Sequence, residues 1–225
     1  MRFRSLRGAE CVASPERARN GTGDVTVARW VSSRRPWERA LAVPAELAPE
    51  DVQMQNDAAL VALYDGGKLR IVADDICFTN EIRLDATEDW LYAVETCGCR
   101  VTKFKVAADG SLSQRQPHGP VDHGAMIDGI AFDAHGNLWG THVFADRIFA
   151  ITPEGDLRII LDDNANPKAH DELMSAFRKG QATFDQMQAC RGKLAGWYAS
   201  VTFGGPDLST VYIGSLLAPR IPFFR

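Results

Sequence analysis

Apolar and polar residues alternate in short runs along most of the chain, and the runs are broken at close intervals by Gly, Asp and Asn. Three segments share one template: Thr79-Asn-Glu-Ile-Arg-Leu-Asp-Ala-Thr-Glu-Asp-Trp-Leu-Tyr92, Ile127-Asp-Gly-Ile-Ala-Phe-Asp-Ala-His-Gly-Asn-Leu-Trp139, and Ala199-Ser-Val-Thr-Phe-Gly-Gly-Pro-Asp-Leu-Ser-Thr-Val-Tyr212. Each reads as an alternating strand, a polar turn, and an aromatic that opens a second strand. Period-two alternation with frequent turn signals predicts an all-β chain. Further strands follow in order: Ala93–Thr96 and Arg100–Val106 after the first copy, then a strand to Val143, Arg147–Thr152 and Leu157–Leu161 after the second. Upstream, Asp24–Ser33, Ala58–Tyr64 and Leu69–Ala73 fit the latter part of another unit. Four-strand units recurring every 40–50 residues or so are the signature of a β-propeller. The alternative is a β-sandwich, which shares the turn spacing but not the aromatic-punctuated repeat.

The repeat divides the chain into an irregular basic segment, 1–23, and a partial propeller domain, 24–225, with blade remnants at 24–75, 76–120, 125–163 and 197–225. Two stretches interrupt it. Arg34–Asn56 separates the second and third strands of one unit, and Asp163–Gly196 separates one unit from the next. Both are too long for tight turns. The second spaces its apolar residues as helices do, at Glu172–Phe177 and Phe184–Cys190. Both insertions are expected at the mouth where the first strands begin, as a lid or specificity wall.

Asn80 and Asp128 hold the same template position, 48 residues apart. The innermost strand of a blade lines the central channel, so both side chains are expected at one mouth. Capping of their own strands is the alternative role. His123, in the loop leading to Asp128, is a candidate substrate contact; His142 and Glu95, at the ends of second strands, are weaker candidates. Trp197 and Tyr198 read as core or rim aromatics.

Composition narrows the function. Of 225 residues, 45% are hydrophobic and 24% charged, which predicts an ordinary globular protein. The net charge of −4 argues against a nucleic-acid partner, because phosphate binding needs a basic face. No apolar run is long enough to span a bilayer, and Met1–Arg7 has no apolar signal core, so neither a membrane partner nor a secretory leader is expected. Five cysteines are too few and too scattered for a disulfide framework; Cys77 stands alone and Cys97-Gly-Cys99 is the only close pair. Reduced thiols in a cytoplasmic protein are the expectation. A G-x-S-x-G elbow, a Walker A loop, a G-x-G-x-x-G loop and an H-E-x-x-H pair are all absent.

The three template segments resemble the gluconolactonase / regucalcin / luciferin-regenerating-enzyme family over about residues 24–225. The Asp-Gly-Ile-Ala-x-Asp-x-x-Gly-Asn-Leu-Trp and Phe-Gly-Gly-Pro-Asp-Leu segments carry the likeness. The resemblance implies a six-bladed propeller, one divalent cation at the channel mouth and hydrolysis of sugar or small aliphatic lactones. It assigns the family's Asn ligand to Asn80, and its Asp, both ligand and general base, to Asp128. It also implies a Glu ligand in a Glu-Gly-Pro context, which is absent here; Glu10 is the only early candidate. All-oxygen ligation suits calcium, magnesium or manganese and tolerates zinc, so the metal stays open. Six units need well over 225 residues. The chain therefore reads as the C-terminal two-thirds of such a protein, or one that completes its ring with another chain, and open blade edges would favour self-association. Two functions remain: a metal-dependent lactonase, with reduced or no activity if its ligand set is incomplete, and a non-catalytic propeller module that binds a partner through its mouth-side insertions.

Overall fold

In the computed structural model, residues 70–225 are described in full, and upstream of them only the backbone course of certain strands. Strands β1 (Arg29–Ser32), β2 (Arg39–Val43), β3 (Ala59–Asp65) and β4 (Lys68–Ile76) pair in chain order as one sheet. Then come β5 (Thr79–Leu84), β6 (Trp90–Glu95), β7 (Arg100–Val106) and β8 (Leu112–Pro117), and after them β9 (Ile127–Phe132), β10 (Leu138–His142), β11 (Arg147–Ile151) and β12 (Leu157–Asp162). Helices α1 (Pro167–Phe177) and α2 (Phe184–Ala189) precede β13 (Tyr198–Gly204), β14 (Thr210–Ser215) and β15 (Phe223–Phe224). Each of these sheets is an antiparallel meander in which every strand pairs with its chain neighbours. These are propeller blades, and the described ones do not close into a ring. The fold is an incomplete β-propeller of the six-bladed type with a helical insertion.

The Arg34–Asn56 stretch, expected to be an insertion, contains strand β2, and the rest of it lies outside the described residues; of the 1–23 segment only short paired strands are described, and the side chain of Glu10 is not. The 163–196 insertion is helical, as its spacing predicts. Asn166 caps α1 by accepting a hydrogen bond from Ala169 N (3.2 Å), with Pro167 at the first turn. Thr183 and Gln186 close a reciprocal capping box on α2.

Blades pack face to face through alternate residues. Ile82, Leu91, Phe104 and Val106 of the β5–β8 blade form one apolar layer with Ile76 of β4. Tyr92, Val94 and Val101 on its other face meet Ile127, Ile130, Leu138, Phe149 and Ile151 of the next blade. Ile148, Tyr198 and Ile213 join that blade to the last. The outermost strands β8 and β12 leave most of their residues exposed.

The polar turn of the template is a clamp rather than a site. Asp85 Oδ1 accepts from Asp89 N (2.9 Å) and Trp90 N (3.3 Å). Asp133 accepts from His135 N, Asn137 N and Trp139 Nε1 at 2.8–2.9 Å. The turn aspartate thus fixes the start of the aromatic second strand, at the end of the first strand opposite Asn80 and Asp128.

The innermost strands are held level by buried polar bonds. Glu81 Oε2 accepts a hydrogen bond from Ile130 N (2.8 Å), tying β5 to β9. Thr96 Oγ1, just beyond β6, donates to Ile127 O (2.7 Å). On the other flank β9 meets β13 at Gly129: a Cβ there would stand 2.7 Å from both Ala199 O and Ser200 Cα. Backbone cannot yield as a flexible side chain can, so Gly129→Ala should cost about 1–3 kcal/mol by overpacking. Its thermal melt should fall by several degrees; an unchanged melt would show that the blades do not approach this closely.

Candidate active site at the channel mouth

Asn80 and Asp128 are the second residues of β5 and β9, and both are half-buried. The pairing registers reveal a further likeness. The β5–β6 register shifts between the Glu95–Thr79 and Ala93–Ile82 pairs, and the β9–β10 register shifts between Ile127 and Ile130. Both candidate residues therefore sit in a β-bulge, a device that re-aims side chains and is common beside active sites. The last blade has the same irregularity between Tyr198 and Ser200, but offers Ala199 and Ser200 there instead of a carboxylate or amide. The shared template position of the two residues is visible in the sequence; the bulges are a property of pairing and are not.

Asp128 is braced through its neighbours. Ile127 pairs with His142 across the sheet and accepts from Thr96, while Met126 O accepts from Val143 N (3.0 Å). Met126, Val143, Met174, Phe177 and Trp197 form one buried cluster, so α1 rests against the ends of β9 and β10 at the Asp128 mouth. Beside it, Gly124, Asp171, Met174, Ser175, Arg178 and Lys179 line an open cavity of about 460 Å³. Arg178 pairs with Asp122 at 2.9 Å, linking the helix to the loop that carries His123. Asp146, buried between strands, accepts from Gly192 N (2.6 Å) and Tyr198 N (2.9 Å) and anchors the end of the insertion.

His123 is packed inward. Its Nδ1 lies 3.1 Å from His142 Nε2, and its ring meets the His142 and Phe149 rings edge-on. Burial lowers the His123 pKa to about 4 and that of His142 well below the usual imidazole value, so both rings are neutral at pH 7. Glu95 is wholly buried and committed to structure. Arg100 grips it with Nε (3.1 Å) and Nη2 (2.8 Å), Thr102 donates its hydroxyl, and Cys77 N donates at 3.1 Å. Burial works to raise the Glu95 pKa, but these donors outweigh it and hold the carboxyl below its usual value. Trp197 and Tyr198 are buried core aromatics. Cys77, isolated in the sequence, has its thiol pKa lowered to about 7, chiefly by the Cys97 side chain.

Asn80 and Asp128 supply one amide oxygen and one carboxylate. Both are hard oxygen donors, of the kind that calcium, magnesium or manganese takes. Among the described residues, no three His, Cys, Asp or Glu side chains are grouped so as to hold a metal ion. No helix among them is long and apolar enough to cross a membrane.

Meandering blades, a helical wall over one mouth and paired bulges on the innermost strands describe an incomplete propeller with a candidate site at its mouth. The family model described as SMP-30/gluconolactonase/LRE-like region matches residues 45–164, and the chain belongs to this family. A 6-deoxy-6-sulfogluconolactonase from Pseudomonas putida is 23% identical over 163 residues, 72% of this chain and 46% of that protein. A gluconolactonase structure from Xanthomonas campestris superposes with a TM-score of 0.61 at 16% identity, over 98% of this chain and 63% of the other. Regucalcin from Agrobacterium tumefaciens, described as a calcium-binding protein, superposes with a TM-score of 0.53 at 15% identity, over 80% of this chain and 51% of the other. The chain thus spans about half to two-thirds of the length of these relatives.

Neutral buried imidazoles make stability depend on pH. The folded values of His118 and His123, about 4, lie below the ordinary 6.5, so the unfolded chain binds more protons between these limits. Their contribution is fully present above pH 6.5 and is lost as pH falls towards 4, by about 1–2 kcal/mol per imidazole at pH 5. Denaturant titrations should give lower stability at pH 5 than at pH 7, with a shallower slope in His123→Phe; an equal slope in that variant would contradict the assignment.

Proposed function

We propose that this chain is a divalent-metal-dependent hydrolase of sugar or small aliphatic lactones. The observation that carries the reading is the pair of oxygen-bearing residues, Asn80 and Asp128, at equivalent bulges on neighbouring innermost strands. Family membership and the lactonase relatives support it.

In this reading Asn80 and Asp128 are ligands to one divalent cation at the mouth, with calcium, magnesium, manganese and zinc as candidates. Such a cation, when bound, supplies Lewis acidity towards a lactone carbonyl. The chain's own contribution is Asp128, which acts as general base and takes the proton from the attacking water. The amide of Asn80 is a neutral ligand and leaves the positive charge of the ion undiminished. The α1 wall and the Val121–Met126 loop bound the approach to the mouth. His123 is a neutral ring packed inward from that loop; a substrate contact there requires the lactone to reach past the loop. The product is the open-chain hydroxy acid, whose carboxylate is released into solvent.

A second reading is favoured by the donor count. Among the described residues the candidate donors are one carboxylate and one amide, a sparse set for catalysis, and a non-catalytic module could use the cavity beside α1 to bind a partner. The two readings separate in one assay. Hydrolysis of a sugar lactone and of a small aliphatic lactone is followed in the metal-stripped protein, with each candidate cation added back. The lactonase reading predicts activity that EDTA abolishes and a cation restores, and a kcat/KM about 10²–10⁴-fold lower in Asp128→Ala. Chelator-insensitive hydrolysis, or full activity in Asp128→Ala, would reject the metal mechanism. A folded protein without activity in any cation would favour the binding module.

A further inference from the structure

Cys77 lies in the two-residue turn between β4 and β5, and Cys97 in the turn between β6 and β7. The β5–β6 ladder runs on past its strand ends. Glu95 faces Thr79, and Thr96 N then donates to Phe78 O at 3.1 Å. Beyond that bond both chains turn, at Phe78 (φ 59°) and where Cys99 N donates to Thr96 O at 3.2 Å, so the turns that carry Cys77 and Cys97 lie side by side. The remaining contacts agree. Cys77 N donates to Glu95 Oε2 at 3.1 Å instead of across the ladder. A Cβ built on Gly98 would stand 3.4 Å from Cys77 Cβ, which shows how closely the two turns abut. The two thiols are near enough for each to be the first influence on the other's pKa. Cys77 and Cys97 are each half-buried and reachable by a small oxidant, whereas Cys99 and Cys190 are buried.

We propose that Cys77 and Cys97 form an oxidative modification site, a dithiol that hydrogen peroxide converts to an intramolecular disulfide. Cys77 is the attacking group. The hydrogen bond with Cys97, helped by the Arg100 guanidinium, brings its pKa down to about 7 against the opposing effects of burial, Glu95 and Asp75. The same contact and burial push the Cys97 thiol up, so it stays protonated as the resolving partner. The Cys77 thiolate attacks one peroxide oxygen; an S–O bond forms, the O–O bond breaks, and the leaving hydroxide is protonated to water. Cys97 sulfur then attacks the sulfenic sulfur of Cys77. The S–S bond forms, the S–O bond breaks, and the departing oxygen takes the Cys97 proton and leaves as a second water. Two thiols are oxidised by two electrons in all and one peroxide is reduced. The step uses neither Asn80 nor Asp128, so it stands independently of the lactonase reading.

The test is made on the whole chain at neutral pH. After peroxide treatment and alkylation, trypsin yields Ile71–Arg83, which carries Cys77, and Leu84–Arg100, which carries Cys97 and Cys99. The expected product is these two peptides joined with the loss of two hydrogens, reversed by dithiothreitol. It should be absent from Cys77→Ser and Cys97→Ser and retained in Cys99→Ser. The free-thiol count of the wild type should fall by two. A joined peptide that survives Cys97→Ser, Cys77 recovered only as its sulfinic or sulfonic acid, or an unchanged thiol count would each overturn the proposal.

Discussion

The arrangement of the mouth depends on the buried bonds that hold neighbouring innermost strands at one level. Glu81 is the central one. It is a carboxylate buried among apolar strands, and such a group is tolerated only when its oxygens are satisfied. One oxygen accepts the Ile130 N–H and the other pairs with the Arg83 guanidinium. The Ile130 bond fixes the register of β5 against β9, which apolar packing alone fixes less well than distance. The bond at Thr96 and the close approach at Gly129 extend the same alignment to Ile127 and to β13.

Because the strands are level, their bulges are level too. This turns a repeat in sequence into a local arrangement in space. Asn80 and Asp128 are flanked by residues whose placement is over-determined: Thr79 and Glu81 on one strand, Ile127 and Gly129 on the other, all buried. The helical insertion adds a wall through Met174 and Phe177 without contributing to the sheets. Blade cores carry the stability, turn aspartates fix the strand starts at the far end, and the near end is left to polar chemistry.

The blades are legible in the sequence because both faces of their inner strands are covered, so each strand reads as an alternating or continuous apolar run. The same physics explains what the sequence hides. Strand β8, Leu-Ser-Gln-Arg-Gln-Pro, has almost no apolar content because its residues face solvent at the blade edge. Strand β2 falls inside a stretch that reads as an insertion, since Arg39–Val43 is short and follows a charged run. The repeat points to Asn80 and Asp128, but nothing in it points to the roles of Glu81 and Glu95. A buried carboxylate gives no signal in one sequence, because its burial depends on partners as remote as Ile130. The nearness of Cys77 and Cys97 is invisible for a like reason: the turns that carry them abut through strand pairing, not through spacing along the chain.

Under the proposed function, one cation is held by an amide and an acid on adjacent strands. The most direct measurement is a titration of the metal-free protein with Mn²⁺ followed by electron paramagnetic resonance of the free ion, in the wild type, Asn80→Ala and Asp128→Ala. A shared cation predicts one bound ion per wild-type chain, with affinity at least roughly 10-fold weaker in each variant because each removes an oxygen donor. Binding of equal strength in all three proteins would contradict it.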